Sequence, residues 1–223
     1  MQIEILYEDN HLLIVEKPVN MPSQADKSQD PDVLTTLKQM IKVRDNKPGN
    51  VYLGLVHRLD RPVGGAMVFA KTSKAASRLS DSLRKRAIKR IYLAVVMGHV
   101  APEGELKHHL YKNRQKNHVY AVDPQHPQAK PAHLSYQRLQ QTKATSLVKV
   151  ELHTGRSHQI RVQFQASGHP LYGDQKYGDH RIQKGTQIAL WSHRLAIPHP
   201  TQDKVIEVVS YPPAKGVWRD FGY

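Results

Sequence analysis

The sequence contains no cysteine among its 223 residues. This absence excludes disulfides, thiolate nucleophiles and cysteine-ligated metal sites. The sequence also lacks an apolar run of about 18 residues, so it predicts no membrane-spanning helix. Residues 1–7 have the pattern of a strand and lack the charged start and apolar stretch of a signal peptide. We therefore expect a cytoplasmic protein.

Acidic residues are scarce, since 19 Asp and Glu stand against 33 Lys and Arg, which gives a net charge of +14. Such an excess indicates a polyanionic partner, either nucleic acid or an anionic membrane surface. No amphipathic basic helix with a bulky apolar face is present, which argues against the membrane. We therefore expect nucleic acid as the partner.

The hydrophobic pattern predicts many strands and a few helices in irregular order, and therefore an α+β fold with a mixed, mainly antiparallel sheet core and flanking helices. One helix is predicted to begin with Asp30 as its cap and Pro31 in its first turn. A second is predicted from a cap at Thr72 or Ser73 to about Arg86. After residue 156 the pattern fits either a short helix or a strand. The predicted strands span residues 2–7, 11–16, 51–56, 65–70, 89–96, 132–139, 146–153, 187–196 and 204–210.

Asp60 lies between Arg58 and Arg61, in a short polar stretch that separates two apolar runs. A carboxylate in such a place costs desolvation energy unless it is paired or the loop is exposed. It can serve as a nucleophile, a general acid or base, or a metal ligand, or it can form a structural ion pair with a neighbouring arginine. The residues around it leave these readings open.

Two further side chains are candidates for the same chemistry. Tyr92 lies in a predicted strand, where a tyrosine either packs or stacks on a base and moves a proton. Arg161 is flanked by Ile160 and Val162, so its guanidinium can reach inward to a carboxylate or outward to a phosphate. The pattern favours neither reading.

Other reaction classes find little support. The histidines lack the close spacing with an intervening glutamate that marks a helical zinc site, which argues against a metalloenzyme, including a metal-dependent nuclease. A glycosidase needs two cooperating carboxylates, and no second acidic residue lies in a comparable tract.

Three tracts follow one another along the chain, and they are His57-Arg58-Leu59-Asp60, Lys89-Arg90-Ile91-Tyr92-Leu93-Ala94 and Thr154-Gly155-Arg156-Ser157-His158-Gln159-Ile160-Arg161. Two shorter tracts precede and follow them, Glu16-Lys17-Pro18 and Gly168-His169-Pro170-Leu171-Tyr172-Gly173-Asp174. In this order the tracts resemble the signatures of the RluA-type RNA pseudouridine synthases. The resemblance runs from about residue 5 to residue 210.

The resemblance implies a pseudouridine-synthase-like fold and a single catalytic domain over residues 1–223. It implies isomerisation of specific uridines in structured rRNA or tRNA, without a cofactor or a metal. By this resemblance Asp60 is the catalytic nucleophile, Tyr92 packs on the uracil and helps to remove the carbon-5 proton, and Arg161 pairs with Asp60. The target must be extruded from its stack, and the resemblance suggests Arg58 as the wedge that fills the gap. Basic residues expected to contact the RNA backbone are Lys89, Arg90, Arg156 and Lys176.

The chain departs from the family pattern after Asp60, where Pro62-Val63-Gly64-Gly65 replaces a Thr-Ser-Gly-like turn. This change keeps open an alternative, a non-catalytic RNA-binding protein on the same fold. Because the catalytic pattern begins almost at Met1, we expect no N-terminal RNA-binding extension. We expect a monomer with no obligatory protein partner.

Overall fold

A computed structural model describes residues 3–178 and 183–223. The chain divides into two compact units, which are described separately. Unit 1 comprises Met1–Arg90 and Ser192–Tyr211, and unit 2 comprises Ile91–Trp191 and Pro212–Tyr223. The single catalytic domain over residues 1–223 stays a prediction.

The described elements confirm an α+β fold with a mainly antiparallel sheet. The helices are α1 (Val33–Arg44), α2 (Ser73–Arg84) and α3 (Gln159–Ala166), with a short 3-10 helix at Gly216–Phe221. The strands are β1 (Glu4–Glu8), β2 (Leu12–Lys17), β3 (Gly54–Leu55), β4 (Gly64–Ala70), β5 (Lys89–Met97), β6 (Glu103–Asn113), β7 (His118–Val122), β8 (Lys130–Gln141), β9 (Thr145–Leu152), β10 (Leu190–Pro198) and β11 (Val205–Val209). Among these described helices, none is long and apolar enough to cross a bilayer.

Unit 1 contains a sheet whose strands are ordered β1-β2-β4-β10, with β3 on β4 and β11 on β10. Alternate residues of β2 and β4 point to one face, as the two-residue period of a strand requires. There they pack against α2 and complete an apolar core. The core residues are Leu12, Ile14, Ala66, Val68, Ala70, Ala75, Leu79, Ile88, Leu195, Ile197, Ile206 and Val208.

The predicted start of the first helix was wrong by two residues. The cap is Asp32, whose side chain accepts a hydrogen bond from the Thr35 backbone N–H at 3.0 Å. Asp30 instead forms an ion pair with Arg61. The second helix begins as predicted, because Thr72 Oγ1 accepts the Ala75 N–H at 3.1 Å.

The predicted strand 51–56 was also wrong for most of its length, since only Gly54–Leu55 pairs with β4. Beyond β3 the backbone N–H of Val68 in β4 is taken by a side chain, with His57 Nε2 as the acceptor at 3.2 Å. The His57 ring therefore takes the place of the next backbone partner of β4, and strand β3 ends at Leu55.

Unit 2 contains the antiparallel order β5-β9-β8-β6-β7. The segment after residue 156 is the helix α3 rather than a strand, and Val162 of this helix packs into a cluster with side chains of the sheet. The other members of that cluster are Leu110, Val119, Ala132 and Tyr177.

Candidate active site

The turn that carries Asp60 is fixed by neighbouring backbone and by one buried serine. The Val63 N–H donates to the Asp60 carbonyl at 2.9 Å and closes the turn. Ser23 Oγ donates to the Leu59 carbonyl at 2.8 Å and accepts the Leu59 N–H at 3.2 Å. Leu59 is buried, Asp60 is half-buried and Arg58 is exposed. The turn therefore presents Arg58 to solvent while its own backbone is held.

Lys17 is a second anchor of this turn, and its side chain is fully buried. Its Nζ donates to the carbonyls of Pro18 at 2.8 Å, Met21 at 2.6 Å and Arg61 at 3.0 Å. Burial lowers the pKa of Lys17 to about 7, against the raising effect of the Asp60 charge and with a further lowering by Arg61. Three carbonyl acceptors match the three N–H donors of an ammonium group. Lys17 thus ties the Asp60 turn to the end of β2 and places a titratable charge near Asp60.

Arg61, for which the sequence suggested no role, holds the loop that precedes α1. Its Nε donates to the Asn20 carbonyl at 3.2 Å, and one terminal nitrogen donates to Ser28 Oγ at 3.1 Å. The other terminal nitrogen forms the ion pair with Asp30. Since these groups are exposed, the contacts order a surface loop rather than add much stability.

Of the two glycines after Asp60, Gly65 is required for a steric reason. Gly65 has a φ of +109°, and a Cβ on it would lie 2.3 Å from the carbonyl oxygen of Ser192 in β10. The Ser192 hydroxyl also donates to the Ala66 carbonyl at 2.8 Å. Position 65 therefore requires glycine, because two backbones approach closely in a conformation that side chains disfavour.

His57 and Arg90 are close neighbours within unit 1. Burial, helped by the positive charge of Arg90, lowers the pKa of His57 to about 3. His57 is therefore neutral near pH 7, as its role as acceptor for the Val68 N–H requires. Arg90 is only 8% exposed whereas Lys89 is exposed, so the structure favours Lys89 over Arg90 for a phosphate contact.

In unit 2, Arg161 lies on α3 and forms a buried bidentate ion pair. Its Nε donates to Asp174 Oδ2 at 2.7 Å, and a terminal nitrogen donates to Asp174 Oδ1 at 2.7 Å. The two side chains are 7% and 0% exposed. The inward reading of Arg161 is therefore confirmed for Asp174, while its pairing with Asp60 stays a prediction.

Asp174 is held as a carboxylate by this environment. Burial raises its pKa, but Arg161 and the backbone N–H groups of Lys176 and Tyr177 outweigh burial and hold the pKa below its usual value. The two backbone groups donate to Oδ1 at 2.9 and 3.0 Å. The Tyr177 ring packs under the Arg161 guanidinium, whose Cζ lies 5.1 Å from the ring centroid. Arg161 thus has a fixed position and a fixed charge.

The tract before α3 is organised by Gln159, which is buried. Its Oε1 accepts hydrogen bonds from Thr154 Oγ1 at 2.8 Å and the Arg156 N–H at 2.9 Å, and its Nε2 donates to the His133 carbonyl at 3.1 Å. Arg156 is exposed, as is Lys176 after Asp174. Their contact with RNA stays a prediction.

Tyr92 lies on β5, paired with Val150 of β9, and is buried. It belongs to unit 2 with Arg161, whereas Asp60 and Arg58 belong to unit 1. The sequence interpretation missed Lys17, Ser23, Asp174 and Tyr177. Lys17 and Asp174 do occur in the two shorter matching tracts, and this was the available signal. Within residues 3–178 and 183–223 no cluster of three or more His, Cys, Asp or Glu could hold a metal ion.

A family model described as RNA pseudouridylate synthase matches residues 11–166, a span that contains Asp60, Tyr92 and Arg161. The chain belongs to the RNA pseudouridylate synthase family.

Curated members of this pseudouridylate synthase family match over much of the chain. Ribosomal large subunit pseudouridine synthase C of Vibrio cholerae is 30% identical over 210 residues, which are 92% of this chain and 64% of the relative. Ribosomal large subunit pseudouridine synthase D of Yersinia pestis is 36% identical over 176 residues, 79% of this chain and 53% of the relative. The chain thus spans between about half and two thirds of the length of these relatives.

Solved structures of pseudouridylate synthase domains share the fold. Human RNA pseudouridylate synthase domain containing 1 has a TM-score of 0.77 at 25% identity, covering 95% of this chain and 84% of that one. Human RNA pseudouridylate synthase domain containing 4 has a TM-score of 0.78 at 23% identity, covering 94% and 88%.

Proposed function

We propose that the protein isomerises uridine to pseudouridine in RNA, with Asp60 as the nucleophile. The observation that carries the proposal is the family match over residues 11–166, which includes all three residues to which the resemblance gives catalytic roles. The anchored turn at Asp60 supports it, because a nucleophile must be held in place before the substrate arrives.

The proposed reaction needs only side chains of this chain. Asp60 forms a covalent bond to the target nucleoside, the bond between the ribose and uracil N1 breaks, and the uracil turns. A bond between the ribose and carbon 5 then forms, and the bond to Asp60 breaks, which releases the carboxylate. Tyr92 packs on the uracil and helps to remove the carbon-5 proton. Arg161 supplies the fixed cation that keeps a carboxylate ionised in a site that excludes water. Asp174 and Tyr177 position Arg161.

The proposed substrate is ribosomal RNA, because the similar curated proteins are named as ribosomal large subunit pseudouridine synthases. The net charge of +14 supports an RNA substrate. Arg58 is the proposed wedge, and Lys89, Arg156 and Lys176 are the proposed backbone contacts, with the buried Arg90 the weakest of the set. We propose a cytoplasmic monomer. Pseudouridine mapping of total RNA from cells with and without the gene tests the choice between rRNA and tRNA.

The decisive experiment compares wild type with Asp60→Asn, which replaces one carboxylate oxygen by an NH2 group and keeps the shape of the side chain. Tritium release from RNA that carries 5-tritiated uridine measures turnover, and we expect a loss of at least about 10³-fold. Asp203→Asn, an exposed carboxylate outside the site, is the matched control and keeps wild-type turnover. Undiminished release by Asp60→Asn would reject Asp60 as the nucleophile.

A second candidate function is non-catalytic RNA binding on the same fold, which the altered turn Pro62-Val63-Gly64-Gly65 favours. It predicts tight, salt-sensitive RNA binding by the wild type with no pseudouridine even at high protein concentration. Product formation by the wild type rejects it.

A further inference from the structure

One face of the β6–β7 hairpin in unit 2 carries four aromatic rings. Tyr111 and Tyr120 are directly opposite each other in the strand pairing. His118 packs on Tyr120 and His126 packs on Tyr111, each with ring centroids 4.5 Å apart. We call Tyr111, His118, Tyr120 and His126 the ring platform. Tyr120 is 40% exposed, so the platform presents aromatic surface to solvent.

The ring platform is linked to the predicted catalytic arginine of the same unit through one further side chain, that of Tyr177. His118 packs on Tyr177 as well as on Tyr120, with centroids 4.5 Å apart. Tyr177 in turn lies under Arg161. A continuous series of side-chain contacts therefore runs from Arg161 through Tyr177 and His118 to the exposed Tyr120.

Positive charge surrounds the ring platform. Residues 106–130 contain five Lys or Arg and a single acidic residue, Asp123. Lys112, Arg114 and Lys116 are exposed at the end of the hairpin. Lys176 adds its charge there, because its Nζ donates to the Asn117 carbonyl at 2.8 Å.

His118 itself is a neutral ring near pH 7. Burial lowers its pKa, and the charges of Lys176, Arg161 and Lys116 lower it further, while Asp174 raises it. The surface thus combines uncharged ring faces with cations at its border. Bases stack on the former and phosphates pair with the latter, which is how proteins bind single-stranded nucleic acid.

A purely structural role for the rings is a weaker account. Cross-strand aromatic pairs do stabilise a hairpin. Such a role does not require the lysines and arginines near the rings, nor the contact of His118 with Tyr177.

We propose that the ring platform binds unpaired nucleotides next to the target uridine by stacking their bases. Arg114, Lys116 and Lys176 pair with the phosphates of the same segment. The inference rests on the proposed function for the identity of the substrate. It predicts that the target uridine lies in a loop or bulge rather than inside a long duplex.

The test measures binding without chemistry, so that its result does not depend on turnover. The probe is a fluorescein-labelled oligocytidylate of about ten nucleotides, which contains no uridine and suits the usual length of a single-strand site. We expect Tyr120→Ala to weaken binding about tenfold by fluorescence anisotropy, since one stacked base is worth about 1–3 kcal/mol. Tyr120→Phe keeps the ring and restores binding to within about twofold. The control is Tyr52→Ala, an exposed tyrosine of unit 1 that stays at wild-type affinity.

Salt dependence separates stacking from charge. Lys116→Ala is expected to reduce the slope of log Kd against log salt by about 0.7, the value for one single-strand phosphate, whereas Tyr120→Ala leaves the slope unchanged.

Equal affinities of wild type, Tyr120→Ala and Tyr111→Ala would overturn the proposal, as would equal losses in Tyr120→Ala and Tyr52→Ala. Wild-type binding that prefers duplex RNA over the oligocytidylate would also overturn it. Loss of turnover in Asp60→Asn, together with weaker oligocytidylate binding by Tyr120→Ala, supports both proposals. Weaker binding by Tyr120→Ala with no turnover by the wild type rejects the proposed function alone.

Discussion

The two units fix their proposed catalytic side chains by different means. In unit 1 the Asp60 turn is held through its backbone, by Ser23 and by the Lys17 ammonium with its three carbonyl acceptors. In unit 2 Arg161 is held through its charged group, by the buried carboxylate of Asp174. A backbone anchor fixes where a turn lies. A charge anchor fixes the orientation of the guanidinium, whose role is electrostatic.

Removing the ion pair between Arg161 and Asp174 has the largest expected effect on the free energy of unfolding. Asp174→Ala leaves Arg161 buried without the carboxylate that pairs with it here, and breaking a buried pair in this way costs about 3–5 kcal/mol. Urea unfolding followed by circular dichroism measures the loss, and the exposed Asp123→Ala is the control. A loss below about 1 kcal/mol would show that water replaces the carboxylate and that the pair is not an anchor.

A steric change in unit 1 ranks next. Gly65→Ala introduces a Cβ that meets the Ser192 backbone in a left-handed conformation, so we expect a loss of about 2–4 kcal/mol. The control is Gly185→Ala, a glycine of positive φ with no atom within 4 Å of the added Cβ. Because backbone strain is common to both variants, the difference between their midpoints in urea isolates the steric clash. Equal midpoints would contradict the close approach of β4 and β10.

The Lys17 anchor predicts a pH dependence of definite sign. The pKa of Lys17 is about 7 in the folded protein and 10.5 in the unfolded chain. Between these values the unfolded chain binds more protons, so the group makes the free energy of unfolding rise with pH. We expect the stability of wild type relative to Lys17→Met to increase from pH 7 to pH 10.

Urea titrations of both proteins across that range measure the difference. A difference that falls with rising pH would show that the three carbonyl contacts, rather than burial, dominate the protonation of Lys17. Tritium release by Lys17→Met at pH 6, compared with Lys42→Met on the exposed end of α1, reports whether the anchor also matters for turnover.

A half-buried charge cluster in unit 1, formed by Glu8, Arg44 and Lys71, gives the smallest effect. Hydrogen bonding to Arg44, opposed by burial and helped by Lys71, lowers the pKa of Glu8 to about 2. Because this pKa is depressed, the stabilisation is present above pH 4.5 and disappears as the pH falls towards 2. Glu8→Gln should cost about 1–2 kcal/mol at pH 7 and progressively less between pH 4.5 and pH 3. A constant difference over that range would assign the loss to packing instead of charge.

The sequence predicted the elements that depend on local pattern. The hairpin of β1 and β2, the cap at Thr72, the pair β8 and β9 and the α+β class are all confirmed, because alternation and capping act within a few residues. The partner of an ionic side chain does not follow from local pattern, because it can lie far away in the sequence. Asp30 was predicted as a cap because it precedes a proline, but Arg61, distant in sequence, takes its carboxylate.

The same limit applies to the candidate site. The resemblance predicts Asp60 as the partner of Arg161. Asp174 lies in one of the shorter matching tracts, but its place in the sequence does not show that its carboxylate reaches Arg161. Likewise, Lys17 is a lysine at the end of an amphipathic strand, and its burial under three carbonyls follows from where the Asp60 turn lies. The sequence motifs identified the tracts that carry Asp60 and Arg161. The side chains that hold these two residues in place were identified only from the folded structure.

The ion pair of Arg161 has a consequence for affinity. A free arginine side chain has about 2 kcal/mol of rotamer entropy, and a guanidinium that must be ordered on contact with RNA loses part of it in every binding event. Here Asp174 and the Tyr177 ring have already restricted Arg161 in the folded protein. Its conformational freedom is lost once, during folding, and would not be lost again in the RNA binding that we propose.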